Sequence, residues 1–200
     1  MMDTQNSQEL DAPLSGKLIR LVPLSERHLG ELDSAFRGDD DLWTWTLTAA
    51  PRTQAETVAW IERAKAARDA GARYAFAIES IDDGTLAGVT NFLDVRRDDG
   101  VLEIGSTLIF SAYRGTRVNT ELTLLLLARA FDCGFVRVTF KTDARNARSR
   151  AALERLGATP EGVLRSFQRR HDGTTRDTAM YSILVAEWPV VRAQLEAKLA

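Results

Sequence analysis

Cysteine is nearly absent: Cys133 is the single thiol in 200 residues, so no intrachain disulfide can form and nothing asks for an oxidising compartment. Its expected role is a buried, inert one. Long apolar runs are missing too. The most apolar stretch, residues 122–131, is broken by Thr123 and Arg129 and falls far short of the ~20 residues of a membrane span. Residues 1–12 are polar and acidic, with neither a basic start nor an apolar core, which argues against a secretory leader and for a disordered tail. A cytoplasmic protein without membrane contact is expected.

Positive charge is not in excess, with 26 Lys and Arg against 28 Asp and Glu, which speaks against nucleic-acid binding. The two histidines, His28 in a predicted surface helix and His171 in a predicted turn, have no paired spacing, and no HExxH occurs, so no metal site is expected. No Gly-Lys-Ser/Thr follows a glycine-bearing turn, which excludes a Walker loop. The 5 prolines and 13 glycines are scattered singly, leaving no linker. One domain over residues 15–200 is expected, behind a disordered tail at 1–14.

What is present is a regular succession of turn and cap signals. Residues 17–22 alternate as a strand, Pro23 closes it, and Ser25 can cap a helix that ends at Gly38. Thr53 with Glu56 forms a capping box for a second helix. Three extended stretches follow at 73–80, 85–95 and 101–110, joined by Asp-Gly turns, and they predict an antiparallel meander. An apolar helix at 118–132 then leads to an alternating strand at 136–141, which the helical crossover places parallel to its predecessor. Asn146 can cap a helix ending at Gly157. Strands at 158–170 and 175–185 flank Asp172 and Gly173, and a last helix begins at Glu187 with Pro189 in its first turn. The order predicts a single-domain α+β fold: about seven strands, mostly antiparallel, with the fourth and fifth parallel.

Two segments around the apolar helix carry motif information. After the fourth strand, Arg114, Gly115, Thr116, Arg117, Val118, Asn119 and Thr120 lead into the helix, where orphan backbone amides and the positive end of the dipole suit a phosphate. After the fifth strand comes Asn146, Ala147, Arg148, Ser149 and so on to Gly157. Both resemble the GNAT superfamily of acyl-CoA N-acyltransferases, and Gly88 with the Glu103-Ile104-Gly105 triplet brings the ribosomal-protein N-acetyltransferase (RimJ/RimL) branch nearest. Arg117 stands where that family has Gly, and Asn119 where it has Gly or Ala. The Arg117 side chain either swings outward and adds charge near the phosphates, or fills the groove and weakens the cofactor site.

The resemblance implies that acetyl-CoA is the co-substrate and that residues 114–120 cradle its diphosphate, with Asn146 beside the pantetheine arm. It implies polarisation of the thioester by amides near Ile109 and Phe110, and Ser149 as proton donor to the leaving thiolate, since Leu153 replaces a tyrosine found in many members. Glu103 is the candidate base because strand alternation sets it opposite Leu102 and Ile104; a solvent-facing carboxylate is the other reading. Trp43 and Trp45 either wall the acceptor pocket or close the core. The acidic run Asp39, Asp40 and Asp41 either steers a cationic amine or solvates a loop. The arginines at 145, 148, 150, 155, 165, 169 and 170 form either a solvated face or a contact for a phosphate-bearing ligand. The expected partners are an acyl-CoA and an amine acceptor, either a protein or peptide N-terminus or a small amine, and relatives make a homodimer a further expectation. A non-catalytic binding module and a transferase using another acyl-CoA are the competing readings.

Overall fold

A computed structural model describes residues 10–200; residues 1–9 of the tail expected over 1–14 lie outside them. The strands are β1 (Leu14–Ser15), β2 (Ile19–Pro23), β3 (Arg73–Ser80), β4 (Leu86–Arg96), β5 (Val101–Ile109), β6 (Arg137–Asp143), β7 (Thr159–Arg169) and β8 (Thr175–Leu184). The α-helices are α1 (Leu29–Gly38), α2 (Gln54–Asp69), α3 (Val118–Asp132), α4 (Ala147–Leu156) and α5 (Trp188–Leu199). One eight-stranded sheet runs in the order β1-β2-β3-β4-β5-β6-β8-β7, antiparallel except for β5 and β6.

The strand beyond the expected seven is β1, whose Leu14 pairs with Leu21. Leu10 is fully buried and Asp11 meets Arg68, so residues 10–14 are packed where the sequence predicts disorder. Apolar burial of Leu10 outweighs the polar composition around it. At the second helix the Thr53 and Glu56 capping box forms as expected. The first helix begins instead as a 3₁₀ turn over Glu26–His28, which turns His28 inward to meet Glu79 at 3.3 Å.

The two faces of the sheet are covered differently. Helices α3, α4 and α5 bury most of one face short of the exposed edge strand β7, through Leu122, Leu126, Leu153, Leu156 and Trp188 against Leu102, Ile104, Phe140 and Tyr181. Each such side chain contributes roughly 1.5–3 kcal/mol when removed from water. On the opposite face α1 and α2 cover β2, β3, β4 and the end of β5 through Leu32, Phe36 and Ile61. Beyond them, β5, β6 and β8 present polar side chains.

The parallel pairing is short. Only Val101–Glu103 of β5 pair with Arg137–Thr139 of β6, and past these residues the strands part while each continues. A bulge prepares the parting: β4 advances from Val89 to Asn91 while β5 advances from Leu108 to Gly105, and Ser106 takes φ 48°. Asn91 Nδ2 donates to the carbonyls of Gly105 and Ser106, each at 3.2 Å, and Arg73 Nε donates to Asn91 Oδ1 at 2.6 Å. The carbonyls that the bulge takes out of register are thereby satisfied.

Candidate active site

The gap between β5 and β6 is bordered by three sets of residues. The first is the segment entering α3. Its first turn begins at Arg117, whose αR backbone lets its carbonyl accept from Thr120 and Glu121, both at 3.0 Å. Gly115 takes φ 77° and has open space above it, so a bulky anion can approach the backbone here. Arg117 extends away from the loop and donates to the Leu199 carbonyl at 3.0 Å, on the last helix. The side chain therefore takes the outward course and does not fill the groove. The Asn119 carbonyl accepts from Thr123 Oγ1 within the helix.

Arg114 does something the motif does not indicate. Its Nε donates to the Ile109 carbonyl at 3.0 Å and its terminal nitrogen pairs with Asp39, so the guanidinium ties the end of β5 to the loop after α1. Asp39 is thus a structural partner, as is Asp40, which binds Arg52. Any contribution of Arg114 to an anion comes from its backbone. A residue with no motif signal holds the other side of this segment. Glu121 is buried and its carboxylate accepts the amides of Lys17, Leu18 and Ile19 at 2.7, 2.7 and 2.9 Å. Gly16 makes room for it, since a Cβ there would lie 2.4 Å from the carboxyl carbon.

The second set lines the parted strands. Phe110 N–H donates to the Ala87 carbonyl at 2.9 Å, so this amide is committed to the ladder and does not face the gap, which corrects the expectation for Phe110. Strand alternation turns the neighbouring Ile109 amide to the other edge, toward β6. At the far edge, Asn146 caps α4 by accepting Ser149 N–H at 3.0 Å, which fixes Ser149, half-buried, in the first turn.

The third set is the polar floor on the face that α1 and α2 leave uncovered. Register puts Glu103, Thr139, Lys141, Asp143, Thr178, Met180 and Ser182 on this face. Glu103 is 8% exposed, so it is not the solvent-facing carboxylate of the alternative reading. Gly105 leaves it space, because a Cβ there would come within 2.7 Å of Glu103 Oε1. Lys141 Nζ pairs with Glu103 at 2.7 Å. Burial raises the Glu103 pKa above the usual carboxylate value, against the opposing pull of Lys141.

Farther along the floor, Asp143 is 2% exposed and holds Arg170 and Arg145. Arg170 and His171, at the β7–β8 turn, reach the carbonyls of Thr46 at 3.3 Å and Leu47 at 2.9 Å, closing the α1–α2 loop onto the hairpin. Arg145 stacks over Trp45, 5.7 Å from the ring centre, so Trp45 stands at the rim. Trp43 does not. It is buried edge-to-face on Phe36 with Nε1 on the Phe36 carbonyl, and it belongs to the core. Lys141, Arg170 and Arg176 complete the floor; Arg170 belongs to the arginine cluster read from the sequence as a solvated face or a phosphate contact, while Lys141 and Arg176 were not singled out. Alternation with Val138 and Phe140 was the available signal for Lys141; the hairpin register that brings in the two arginines has no local signal. Among the described residues no group of three or more His, Cys, Asp or Glu side chains could hold a metal, and no helix is long and apolar enough to cross a membrane.

Known proteins carry the same framework. The family model described as "Acetyltransferase (GNAT) domain" matches residues 19–159. A GCN5-related N-acetyltransferase from Brucella melitensis is similar over 95% of this chain and 86% of its own, with 30% identity and a TM-score of 0.88. Mycobacterium smegmatis RimJ, in complex with CoA-disulfide, shares the fold over 90% of this chain and 88% of its own, with 21% identity and a TM-score of 0.79. RimL, a ribosomal L7/L12 α-N-protein acetyltransferase in an apo crystal form, does so over 85% and 92%, with 20% identity and a TM-score of 0.73. No curated protein sequence matches the chain.

Proposed function

The chain belongs to the GNAT acetyltransferase family and is an acyl-CoA-dependent acetyltransferase; from that premise we propose that it transfers acetyl from acetyl-CoA to a primary amine, of a peptide N-terminus or a small molecule, by direct attack in a ternary complex. The observation that carries this reading is the position of Glu103: buried, paired with Lys141, and on the polar face beside the parted strands. Acetyl-CoA supplies the thioester. The segment 114–120 fits its diphosphate, because the space over Gly115 is open and Arg117 points away from it.

Each group then has one task. Glu103 removes a proton from the neutral amine, directly or through water, as its lone pair attacks the thioester carbonyl and the new C–N bond forms. The Ile109 amide, turned to the gap, stabilises charge growing on the carbonyl oxygen. As the C–S bond breaks, the Ser149 hydroxyl gives its proton to the thiolate and regains one from solvent. Positioning by the two sides of the gap supplies much of the rate. The outward course of Arg117 keeps that side chain out of the groove, which favours catalysis over the non-catalytic module in which Arg117 and Asn119 weaken the CoA site.

Glu103→Gln should lower kcat/KM for amine acetylation by about 10²- to 10⁴-fold, with acetyl-CoA affinity by calorimetry kept within about threefold. Ser149→Ala should lower kcat by about tenfold, again with cofactor affinity kept. Wild-type turnover in either variant removes that residue from the mechanism, and failure of the unaltered protein to bind acetyl-CoA removes the whole reading.

A further inference from the structure

The acetyl-transfer reading leaves the nature of the acceptor open, and the charges of the floor narrow it. The groups that face the open half of the gap are Glu103, Lys141, Asp143, Arg145, Arg170 and Arg176, with Asp94 half-exposed at the edge. Arg73 lies behind, committed to Asn91 and the Trp60 ring. The two buried carboxylates are already answered, Glu103 by Lys141 and Asp143 by Arg170 and Arg145.

Arg176 is not. It is 7% exposed, its Nε rests on Thr178 Oγ1 at 3.1 Å and its Nη2 on the Gln168 side-chain carbonyl. Among the described residues it has no carboxylate in ion-pair range; the charges that act on it are a second cation, Arg170, and, from beyond ion-pair range, the Glu103 carboxylate that Lys141 already pairs. Arg170 itself keeps a buried Nε–H without a hydrogen-bond partner. A guanidinium taken out of water without a direct ion-pair partner is costly, and the planar fork of donors it presents matches a carboxylate or phosphate.

On the strength of the acetyl-transfer reading, we propose that the acceptor carries an anionic group a few bonds from its amine, and that Arg176 and Arg170 bind this group while the amine lies over Glu103. The register sets the order along the floor: Glu103 at the paired end, Lys141 next, then Asp143 opposite Thr178, with Arg176 two residues before Thr178 on β8. The Thr46–Leu47 segment closes the outer side. A peptide N-terminus followed by an acidic residue satisfies this arrangement, and so does a small amino acid.

The test compares matched acceptors with acetyl-CoA: two tetrapeptide amides identical except for aspartate or asparagine at the second position, and β-alanine against β-alaninamide. The charged member of each pair should show at least about tenfold higher kcat/KM, chiefly through KM. Arg176→Gln should reduce that ratio by about tenfold. Because a buried arginine is altered, its thermal unfolding is measured alongside; the comparison on the unaltered enzyme stands without it. Equal rates within each pair overturn this inference and leave acetyl transfer intact. Preference for succinyl-CoA over acetyl-CoA overturns it differently, assigning the anion to the acyl group. Loss of acetyl-CoA binding and of transfer to every acceptor brings down the reading beneath it.

Discussion

The two sides of the β5–β6 gap are built from different materials. Where residues 114–120 lead into α3, the surface offered to a ligand is backbone, and side chains serve to hold that backbone: Glu121 anchors the turn before β2, and Arg114 ties the end of β5 to Asp39. On the floor the relation is reversed. Strands β5, β6 and β8 supply a rigid base, and the surface is charged side chains, Glu103, Lys141, Asp143, Arg170 and Arg176. A site made of amides tolerates changes in the side chains that point away from it and fails when its anchors go. A site made of charges fails residue by residue, with the fold intact.

The sharpest way to break this comparison is at an anchor. Glu121→Ala strips the amides of Lys17, Leu18 and Ile19 of the carboxylate they donate to and leaves a hole beside Gly16. Unsatisfied buried donors cost roughly 1–3 kcal/mol each. Stability by denaturant titration should fall by about 3–5 kcal/mol. Acetyl-CoA affinity should fall with it, although Glu121 accepts only amides of the chain itself. Unaltered stability shows that the backbone side does not depend on this carboxylate.

The floor is tested through its ionisation. Burial raises the pKa of Glu103 and Lys141 lowers it. As the proposed base, Glu103 acts only when deprotonated, so kcat/KM should fall as pH drops through that raised value. Lys141→Met removes the lowering influence, and the acid limb of the pH–rate profile should move to higher pH. Stability carries the same sign: a carboxyl whose folded pKa lies above the unfolded one contributes below the unfolded value and loses that contribution as pH rises through the folded one. The variant should lose more stability than the parent on going from acid to neutral pH. An acid limb that stays in place, or moves down, detaches Lys141 from the base.

How much of this the sequence foretold follows the same division. Period-2 alternation and Asp-Gly turns placed β3, β4, β5 and β8 within a residue or two, because each is decided by local contacts. Helix α3 was placed at its observed bounds, with Gly134 after it as the stop. Alternation also put Glu103 on the face opposite Leu102. What stayed hidden depends on distance along the chain. Glu121 meets residues more than a hundred positions away, and Arg170 and Arg176 reach the floor only through the β7–β8 register. Trp43 and Trp45 illustrate the limit: two apart in one loop, the first closes the core and the second stands at the rim, and only the fold around them decides which.

Arg117 gives the smallest expected effect and the finest test of the contrast. It interrupts the family pattern at a position where a side chain was a candidate obstruction, yet it donates to the Leu199 carbonyl at an exposed site. An exposed hydrogen bond of this kind contributes little, ~0.5–1 kcal/mol at most. Arg117→Ala should therefore shift acetyl-CoA affinity by less than about threefold, because in the proposed site the ligand meets the amide at this position and not the guanidinium. A loss of tenfold or more shows that the guanidinium leaves Leu199 for the diphosphate when the cofactor binds, and the backbone side of the gap then relies on a charge after all.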